Sequence, residues 1–315
     1  MGRDFAGEVN RTPAARAIEA CQRGLGRGCV PVMRSDREPD WERLFPADEM
    51  HRFRMAMRRG EPAEFWPERS EDGAIVEERR RWLAGDDELY LAGTLTGPEV
   101  TEAVAWMRAA AKRDGSAGGT WSAREAAERI EPDWVVLGGA AGAGFPVLGG
   151  AVVFPSGWAL TEKLGRPLAE VHGVVPTLQP ALGRPIDRFL ERLDVGEDWI
   201  RVNWGLSADA GLNHHPSRPA PVAVLTAEVG LADAWLRIET QYLARLPETG
   251  AVLFGIRIEN RGLAEVAARP AVAARLARAL RTMEPAVAAY KGLTACRAAL
   301  ADQLDGGPSS GPSTA

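Results

Sequence analysis

The stretch that most constrains the fold is WLRIETQYLARLPETGAVLFGIRIEN, residues 235–260. Apolar and polar side chains alternate on either side of PETG, and a period of two residues is typical of β-strands. Pro247 and Gly250 are residue types favoured in turns, so the alternation and the turn agree. The stretch therefore predicts an antiparallel hairpin.

Other short runs rich in β-forming residues predict further strands: DWVVLGG, GFPVLGGAVVFPSGW, DWIRVNWGLSA and PVAVLTAEVG. Helices are predicted over much of residues 34–115, including ADEMHRFRMAMRRG, VEERRRWL and TGPEVTEAVAWMRAAAKRDG, where Pro98 suits a first helical turn. TEKLGRPLAEVH and ALGRPIDRFLERL predict two helices between strands, and PAVAARLARALRTM and EPAVAAYKGLTACRAALADQL predict two at the end. Because strands and helices do not alternate regularly, we expect an α+β fold with an antiparallel sheet and N- and C-terminal helical additions.

Composition limits the classes of partner. Lys and Arg number 38 against 43 Asp and Glu, and the net charge of -5 gives no general electrostatic reason to bind nucleic acid or an anionic membrane. The three cysteines, Cys21, Cys29 and Cys296, show no CxxC spacing, and an iron–sulfur cluster needs about four thiolates. No signal peptide and no apolar run of about 18 residues is visible, so we expect a cytoplasmic protein without a membrane span. Residues 1–25 and 306–315 have the composition of disordered ends, which leaves 26–305 as one domain.

A glycine-rich segment raises the alternative of a dinucleotide site. Gly138, Gly142 and Gly144 match a spacing found in Rossmann dehydrogenases, where a helix must begin directly after the glycines. Here Pro146 and VLGGAVVFP follow, and they predict a second strand. A turn between strands is the favoured interpretation.

Four histidines are candidate metal ligands. His214 and His215 are adjacent, so in an extended segment they point in opposite directions, and a loop position is the simpler interpretation. His51 lies in a charged stretch and is expected on a solvated helix face. His172 follows a helix and precedes GVVP; its spacing alone fits a helix C-terminus stabilised by the dipole as well as a ligand.

Polar residues interrupt several predicted strands. Arg237, Glu239 and Gln241 should share one face of a strand, because side chains alternate between faces. Arg201 and Asn203 in RVNW, and Arg257 in FGIRIE, also break apolar runs. Two interpretations stay open: an ordinary water-facing sheet, or a group of arginines around a buried anion.

The segments FPSGWALTEKLGRPLAEVHGVVP, RVNW and LRIETQYLARLPETGAVLFGIRIEN occur in this order, and together they resemble the haem-dependent oxidative N-demethylases, which include dimethylamine monooxygenase subunits. The resemblance implies a PAS-like antiparallel sheet that binds haem b through a histidine. His172 lies where the family has Ile-His-x-Pro-Val-Pro, and this chain reads Val-His-Gly-Val-Val-Pro without the first proline. His172 is thus the implied iron ligand, with His214 and His215 in reserve.

The resemblance also implies the chemistry. Its implied cofactor-binding residues are His172, Arg201, Asn203 and Arg257, and its implied catalytic residues are Arg237 and Glu239, with the arginines neutralising haem propionates and Glu239 binding a protonated amine. O₂ is the co-substrate, and electrons come from NADPH through a separate reductase partner that carries flavin and an iron–sulfur cluster. The implied activity is monooxygenation of a small amine with release of formaldehyde.

Two departures and two rivals accompany this expectation. Thr240 stands where the family has arginine and Tyr242 where it has threonine, which favours a different amine or amino acid as substrate. A haem-based sensor is the rival from another class, although no output domain is visible. A haem-free Rossmann-like oxidoreductase is the other.

Overall fold

A computed structural model describes residues 38–47, 49–66, 73–111, 119–139 and 144–306. The predictions for residues 1–25 and 307–315, and for Cys21, Cys29 and Gly142, lie outside these residues. Within them, the chain forms one seven-stranded sheet in the order β1-β5-β6-β7-β3-β4-β2, with every neighbouring pair antiparallel. The strands are Arg58–Arg59, Leu91–Gly93, Asp133–Leu137, Val147–Ala151, Trp199–Ser207, Trp235–Arg245 and Val252–Gly262, numbered β1 to β7.

Twelve α-helices occur in the described part of the chain. They are α1 Trp41–Leu44, α2 Pro62–Phe65, α3 Ala74–Gly85, α4 Asp87–Tyr90, α5 Pro98–Ala111, α6 Ala123–Arg129, α7 Leu168–His172, α8 Leu178–Glu191, α9 Leu263–Ala267, α10 Pro270–Thr282, α11 Pro285–Tyr290 and α12 Arg297–Leu304. The α+β fold with an antiparallel sheet is thereby confirmed. No helix among the described residues has the length and apolar character needed to cross a membrane.

The predicted hairpin is confirmed as β6 and β7. The two strands pair from Trp235↔Gly262 to Arg245↔Val252 without a shift in register. Gly250 has a φ of 69° in the connecting turn, a conformation that glycine adopts without a steric penalty. β3 and β4 are also antiparallel neighbours, so the glycine-rich segment joins adjacent strands, as the turn interpretation requires.

Four local predictions are wrong. The helix expected over TEKLGRPLAEVH, residues 161–172, is limited to Leu168–His172, because Gly165 has a φ of 72° and interrupts it. Residues 49–57 contain no helix: Phe53 packs with the C-terminal helices, while Met55 and Met57 pack against the cluster under α8, and an extended segment reaches both. Residues 221–230 form no strand, because their apolar side chains are mostly exposed and only Leu225 is buried. Residues 284–304 form two helices instead of one, separated near Gly292, whose φ is 68°.

The sheet has two covered faces. On the back face, Trp134 and Tyr242 pack with Phe65 and Trp66, and further along Ile238 belongs to the cluster built from α10 to α12. On the front face, apolar residues at the start of β5 and in β3, β6 and β7 pack under α7 and α8. The front face therefore has a helical lid over one part, and the remainder carries polar residues.

A buried ion pair between Asp133 and Arg79 fixes the backbone at Val153 and Phe154, just after β4. The Asp133 carboxylate accepts N–H groups of Val153 and Phe154, both at 2.8 Å, and lies 2.5 Å from the Arg79 guanidinium. Arg79 also donates to the Ala127 carbonyl at 2.9 Å. Both charged side chains are almost completely buried, so each depends on the other for compensation.

We expect Arg79→Met to lower the free energy of unfolding by about 3–5 kcal/mol, because it leaves the Asp133 carboxylate buried without its counter-ion. Urea unfolding followed by circular dichroism measures this. Arg124→Met is the control, since Arg124 forms its ion pairs at the surface and should cost under about 1 kcal/mol. Equal effects of the two substitutions would contradict the prediction.

Candidate functional site

Four polar residues meet on the front face, and we call them the front cluster: Arg201, Asn203, Glu239 and Gln241. The register of β5 and β6 pairs Arg201 with Gln241 and Asn203 with Glu239. Side chains of directly paired residues lie on the same face, about 5 Å apart at Cβ. The Gln241 amide donates to the Glu239 carboxylate. All four side chains are half-buried, so the cluster is accessible without being fully solvated.

Arg201 is the cation of this cluster that lacks a counter-ion. No hydrogen bond or ion pair from a described residue reaches its guanidinium, and its Nε is buried without a partner. Burial lowers the pKa of Arg201, and the negative charge of Glu239 acts in the opposite direction. An unpaired arginine in a half-buried position is suited to bind an anion.

His172 is the last residue of α7, and it lies close enough to Arg201 for the charge of Arg201 to affect its pKa. Burial lowers the pKa of His172, the charge of Arg201 lowers it further, and Asp187 of α8 acts in the opposite direction. The imidazole is therefore neutral at neutral pH, which is the form that ligates a metal. α7 is anchored at its start, where the Leu168 N–H donates to the Gly144 carbonyl at 2.8 Å, but none of its side chains is fully buried.

His214 and His215 are buried, which their loop position in the sequence did not indicate. Burial, followed by the charge of Arg237, lowers the pKa of His214 to about 3. Its Nε2 is buried without a partner. His215 points elsewhere: its ring contacts Tyr90 at 5.3 Å, and its Nδ1 accepts the Ser217 N–H at 3.1 Å.

Arg237 is an internal anchor. It is buried and donates to the carbonyls of Phe154, Pro155 and Leu212 at 2.9, 3.1 and 2.8 Å, and to the Ser156 hydroxyl at 2.9 Å. Its donors are thus directed at the protein, and we assign it a positioning role.

Arg257 lies apart from the front cluster. It pairs with Thr240, which belongs to the opposite face of β6 from Glu239. Its guanidinium donates to the Phe65 carbonyl and lies 4.8 Å from the centre of the Phe65 ring. The structure therefore does not bring Arg257 together with His172 and Arg201.

Two residues that sequence reasoning missed lie beside the cluster. Lys291, just after α11, donates through Nζ to the Trp204 carbonyl at 2.6 Å. Burial lowers the pKa of Lys291 to about 8; Glu239 opposes this shift and Arg201 adds to it. Tyr290 is half-exposed, and burial and the charge of Glu239 raise the pKa of its hydroxyl. No local pattern marks either residue, because only the break between α11 and α12 brings them here.

His51 is not on a solvated helix face, so that prediction is wrong. Its ring contacts Trp204 edge-on at 5.8 Å, and its backbone N–H donates to the Thr282 hydroxyl at 2.8 Å. Burial, followed by the charge of Lys291, lowers the pKa of His51 to about 4. A cavity of about 60 Å³ lies between this segment and β5, and Arg201 and Asn203 line it.

A sequence model of one family, described as haem-dependent oxidative N-demethylase, alpha subunit-like, matches residues 122–301, more than half of the chain. The chain belongs to this family. The matched residues run from the N-cap of α6 into α12, so they include the front cluster, His172 and Lys291. Members are subunits of haem-dependent oxidative enzymes, and the alpha-subunit-like description implies assembly with a partner.

The residues of this N-demethylase-like chain fit a haem. A haem iron takes only one or two ligands from protein, since the porphyrin supplies four. In the described part of the chain, no group of three or more His, Cys, Asp or Glu side chains could hold a metal ion. His172 offers a neutral imidazole, and Arg201 an unpaired cation for a propionate. The cavity of about 60 Å³ borders Arg201 but not His172, and it is smaller than the roughly 300–1,000 Å³ of ligand pockets, so a tetrapyrrole requires this region to open.

We expect Arg237→Met to lower the free energy of unfolding by about 3 kcal/mol, because it removes the donors of several buried carbonyls. Hydrogen exchange should also rise in residues 154–156 and 208–216, which the guanidinium joins to β6. Mass spectrometry of exchanged peptides checks this. Arg192→Met, at an exposed position, is the control and should change neither quantity.

Stability should fall with acid through His51. Its folded pKa of about 4 lies below the unfolded value of 6.5, so between these pH values the unfolded state binds the extra proton. The free energy of unfolding therefore drops as pH falls from 6.5 to 4. His51→Gln should reduce that drop by roughly 1–2 kcal/mol, allowing for partial exposure of the ring. Urea unfolding at pH 7 and 4.5 measures it, and parallel pH profiles of the two proteins would refute the assignment.

Proposed function

We propose that this chain is the haem-binding subunit of an amine-oxidising N-demethylase and that His172 would hold the haem iron. The observation that carries the proposal is the meeting of a neutral imidazole and an unpaired guanidinium over one half-buried sheet face. Family membership supplies the haem dependence, and the geometry favours these two residues among the candidates. The order β4-β3-β7-β6-β5 in the central sheet supports the PAS-like description, because the last hairpin of the chain, β6 and β7, includes the middle strand.

Each residue of the site then has a distinct task. His172 would present its unprotonated nitrogen to the iron, and Asp187, which acts on the same imidazole, would help to fix its orientation. Arg201 would pair with a haem propionate. Glu239, held by the Gln241 amide, would receive the ammonium group of the substrate. Asn203, paired with Glu239, would offer a neutral hydrogen-bonding side chain beside it.

The haem, when bound, supplies the oxidising chemistry. The overall reaction converts an N-methyl amine and O₂ into the demethylated amine, formaldehyde and water, and it consumes two electrons and two protons. One oxygen atom enters the aldehyde and the other enters water. The electrons would come from NADPH through a separate reductase with flavin and an iron–sulfur cluster, and the alpha-subunit-like description supports a partner of some kind.

α7 is the element best placed to admit the cofactor. It has five residues and no fully buried side chain, so its displacement from the sheet exposes little core. The break between α7 and α8, at residues 173–177, includes the exposed Val174 and gives the displacement a pivot. Haem binding should therefore protect residues 168–177 from hydrogen exchange.

Absorption spectroscopy of haem-supplemented protein tests the proposal. The wild type should show a Soret band, His172→Ala should lose it or shift it, and added imidazole should partly restore it. Arg201→Leu should weaken haem binding about tenfold, the value of one charge-assisted contact, while Arg201→Lys keeps part of the affinity.

His214→Ala is the matched control, because the Nε2 of His214 is buried without a partner. It should keep the Soret band. A band lost in His214→Ala and retained in His172→Ala would transfer the ligand role to His214. A wild type without any Soret band would reject the proposed function.

A further inference from the structure

Lys291 lies beside the front cluster, to which Glu239 belongs, and the two side chains are not in contact. Lys291 lies beside the part of β5 that does not pair with β1, and its Nζ donates to the Trp204 carbonyl. Glu239 lies on β6, and its carboxylate accepts from the neutral Gln241 amide. No ion pair of 4 Å or less joins these two described side chains, although the charge of Glu239 acts to raise the pKa of Lys291. A cation and an anion of the same region are thus each bound to a neutral partner and not to each other.

Keeping these two opposite charges apart is energetically unfavourable unless a ligand pairs with both of them. Two opposite charges in a half-buried region attract each other, and direct contact would recover that attraction. Here each side chain is instead held by a neutral partner, an amide or a carbonyl. A ligand that carries both signs of charge would pair with both groups at once.

The charges also select among amines. Arg201 is assigned to the cofactor, which leaves Lys291 and Glu239 to face the substrate. A simple protonated amine would pair with Glu239 but would place its positive charge near that of Lys291, which is unfavourable in a partly desolvated site. An amine that also bears a carboxylate removes this repulsion and adds a second contact.

We propose that the substrate is a zwitterion, an N-methylated amino acid, with its ammonium group at Glu239 and its carboxylate at Lys291. This inference rests on the proposed function for the reaction, but it concerns only the recognition of the substrate. The Tyr290 hydroxyl, next to Lys291 in the chain and half-exposed, is a second donor for the same carboxylate.

The protonation states agree with this arrangement. Burial lowers the pKa of Lys291 to about 8, so the group is mostly protonated at pH 7. A bound carboxylate would raise the pKa of Lys291 towards its usual value, since an adjacent anion favours the charged form. The pKa of Tyr290 is raised, so its hydroxyl keeps the proton that it would donate.

Calorimetric titration with three probes tests the proposal. N-methylglycine carries both charges, N-methylglycinamide keeps the ammonium and lacks the carboxylate, and dimethylamine is the smallest secondary amine of this type. Wild-type protein should bind N-methylglycine about tenfold more tightly than either other probe, the effect of one charge-assisted contact. Lys291→Met should reduce that preference to within about twofold, and Lys291→Arg should keep part of it.

Glu239→Gln should weaken all three probes, because every one of them has the ammonium group. Lys163→Met is the control for a lysine away from the cluster and should leave the preference unchanged. Urea unfolding of each variant separates loss of binding from loss of folding, and a folded Lys291→Met that keeps the tenfold preference overturns the proposal. Equal binding of the three probes by the wild type overturns it as well.

The two proposals fail in different measurements. Protein that shows a Soret band and no preference among the probes retains the haem function and rejects the zwitterion. Protein without a Soret band that still prefers N-methylglycine retains the zwitterion site and rejects the haem function. Absence of both results rejects both.

Discussion

The guanidinium of Arg237 is the contact on which the shape of the front face depends. From the middle of the sheet it binds carbonyls in two separate loops, at Phe154 and Pro155 and at Leu212. Those loops would otherwise bury carbonyl oxygens without donors, which is unfavourable. The buried pair of Asp133 and Arg79 fixes the start of the first loop. Together these charges hold irregular backbone against the sheet face that also carries the front cluster.

The front cluster differs from the rest of the front face because some of its charged side chains lack a partner of opposite charge. Arg79 and Arg237 donate to groups of the protein itself, whereas Arg201 has no partner among the described residues. Lys291 and Glu239 are satisfied by neutral groups and not by each other. Buried and half-buried charges are expensive when unpaired, so an arrangement that keeps three of them apart is typical of a binding site and unusual for a purely structural region.

The family match and the geometry of the site cover different parts of the chain. The match to the haem-dependent oxidative N-demethylases covers the strands of the central sheet, α7 and α8 and the C-terminal helices. The residues before Ser122, including the extended segment with His51, lie outside the match yet border the cavity beside Arg201. Contacts that distinguish this chain within its family are therefore expected along that segment.

Part of the fold and of the site could be predicted from the sequence because the responsible signals are local. The alternation in β6 and β7 and the turn at Gly250 are contained within 28 consecutive residues, and the same alternation places Glu239 and Gln241 on one face. Predictions from residue propensity were wrong where tertiary contacts determine the local structure. Met55 and Met57 have helical propensity, yet they lie in an extended segment because it spans two hydrophobic clusters.

By itself, the sequence determined the α+β class, the central hairpin, the helix that ends at His172 and the resemblance to the family, since these depend on neighbours in the chain. Only the tertiary structure decided which charges meet. Strand register put Arg201 beside Gln241 and sent Arg257 to the other face, and the break after Tyr290 carried Lys291 to the edge of β5. Such juxtapositions depend on packing between segments far apart in the chain, so no local pattern of residues encodes them.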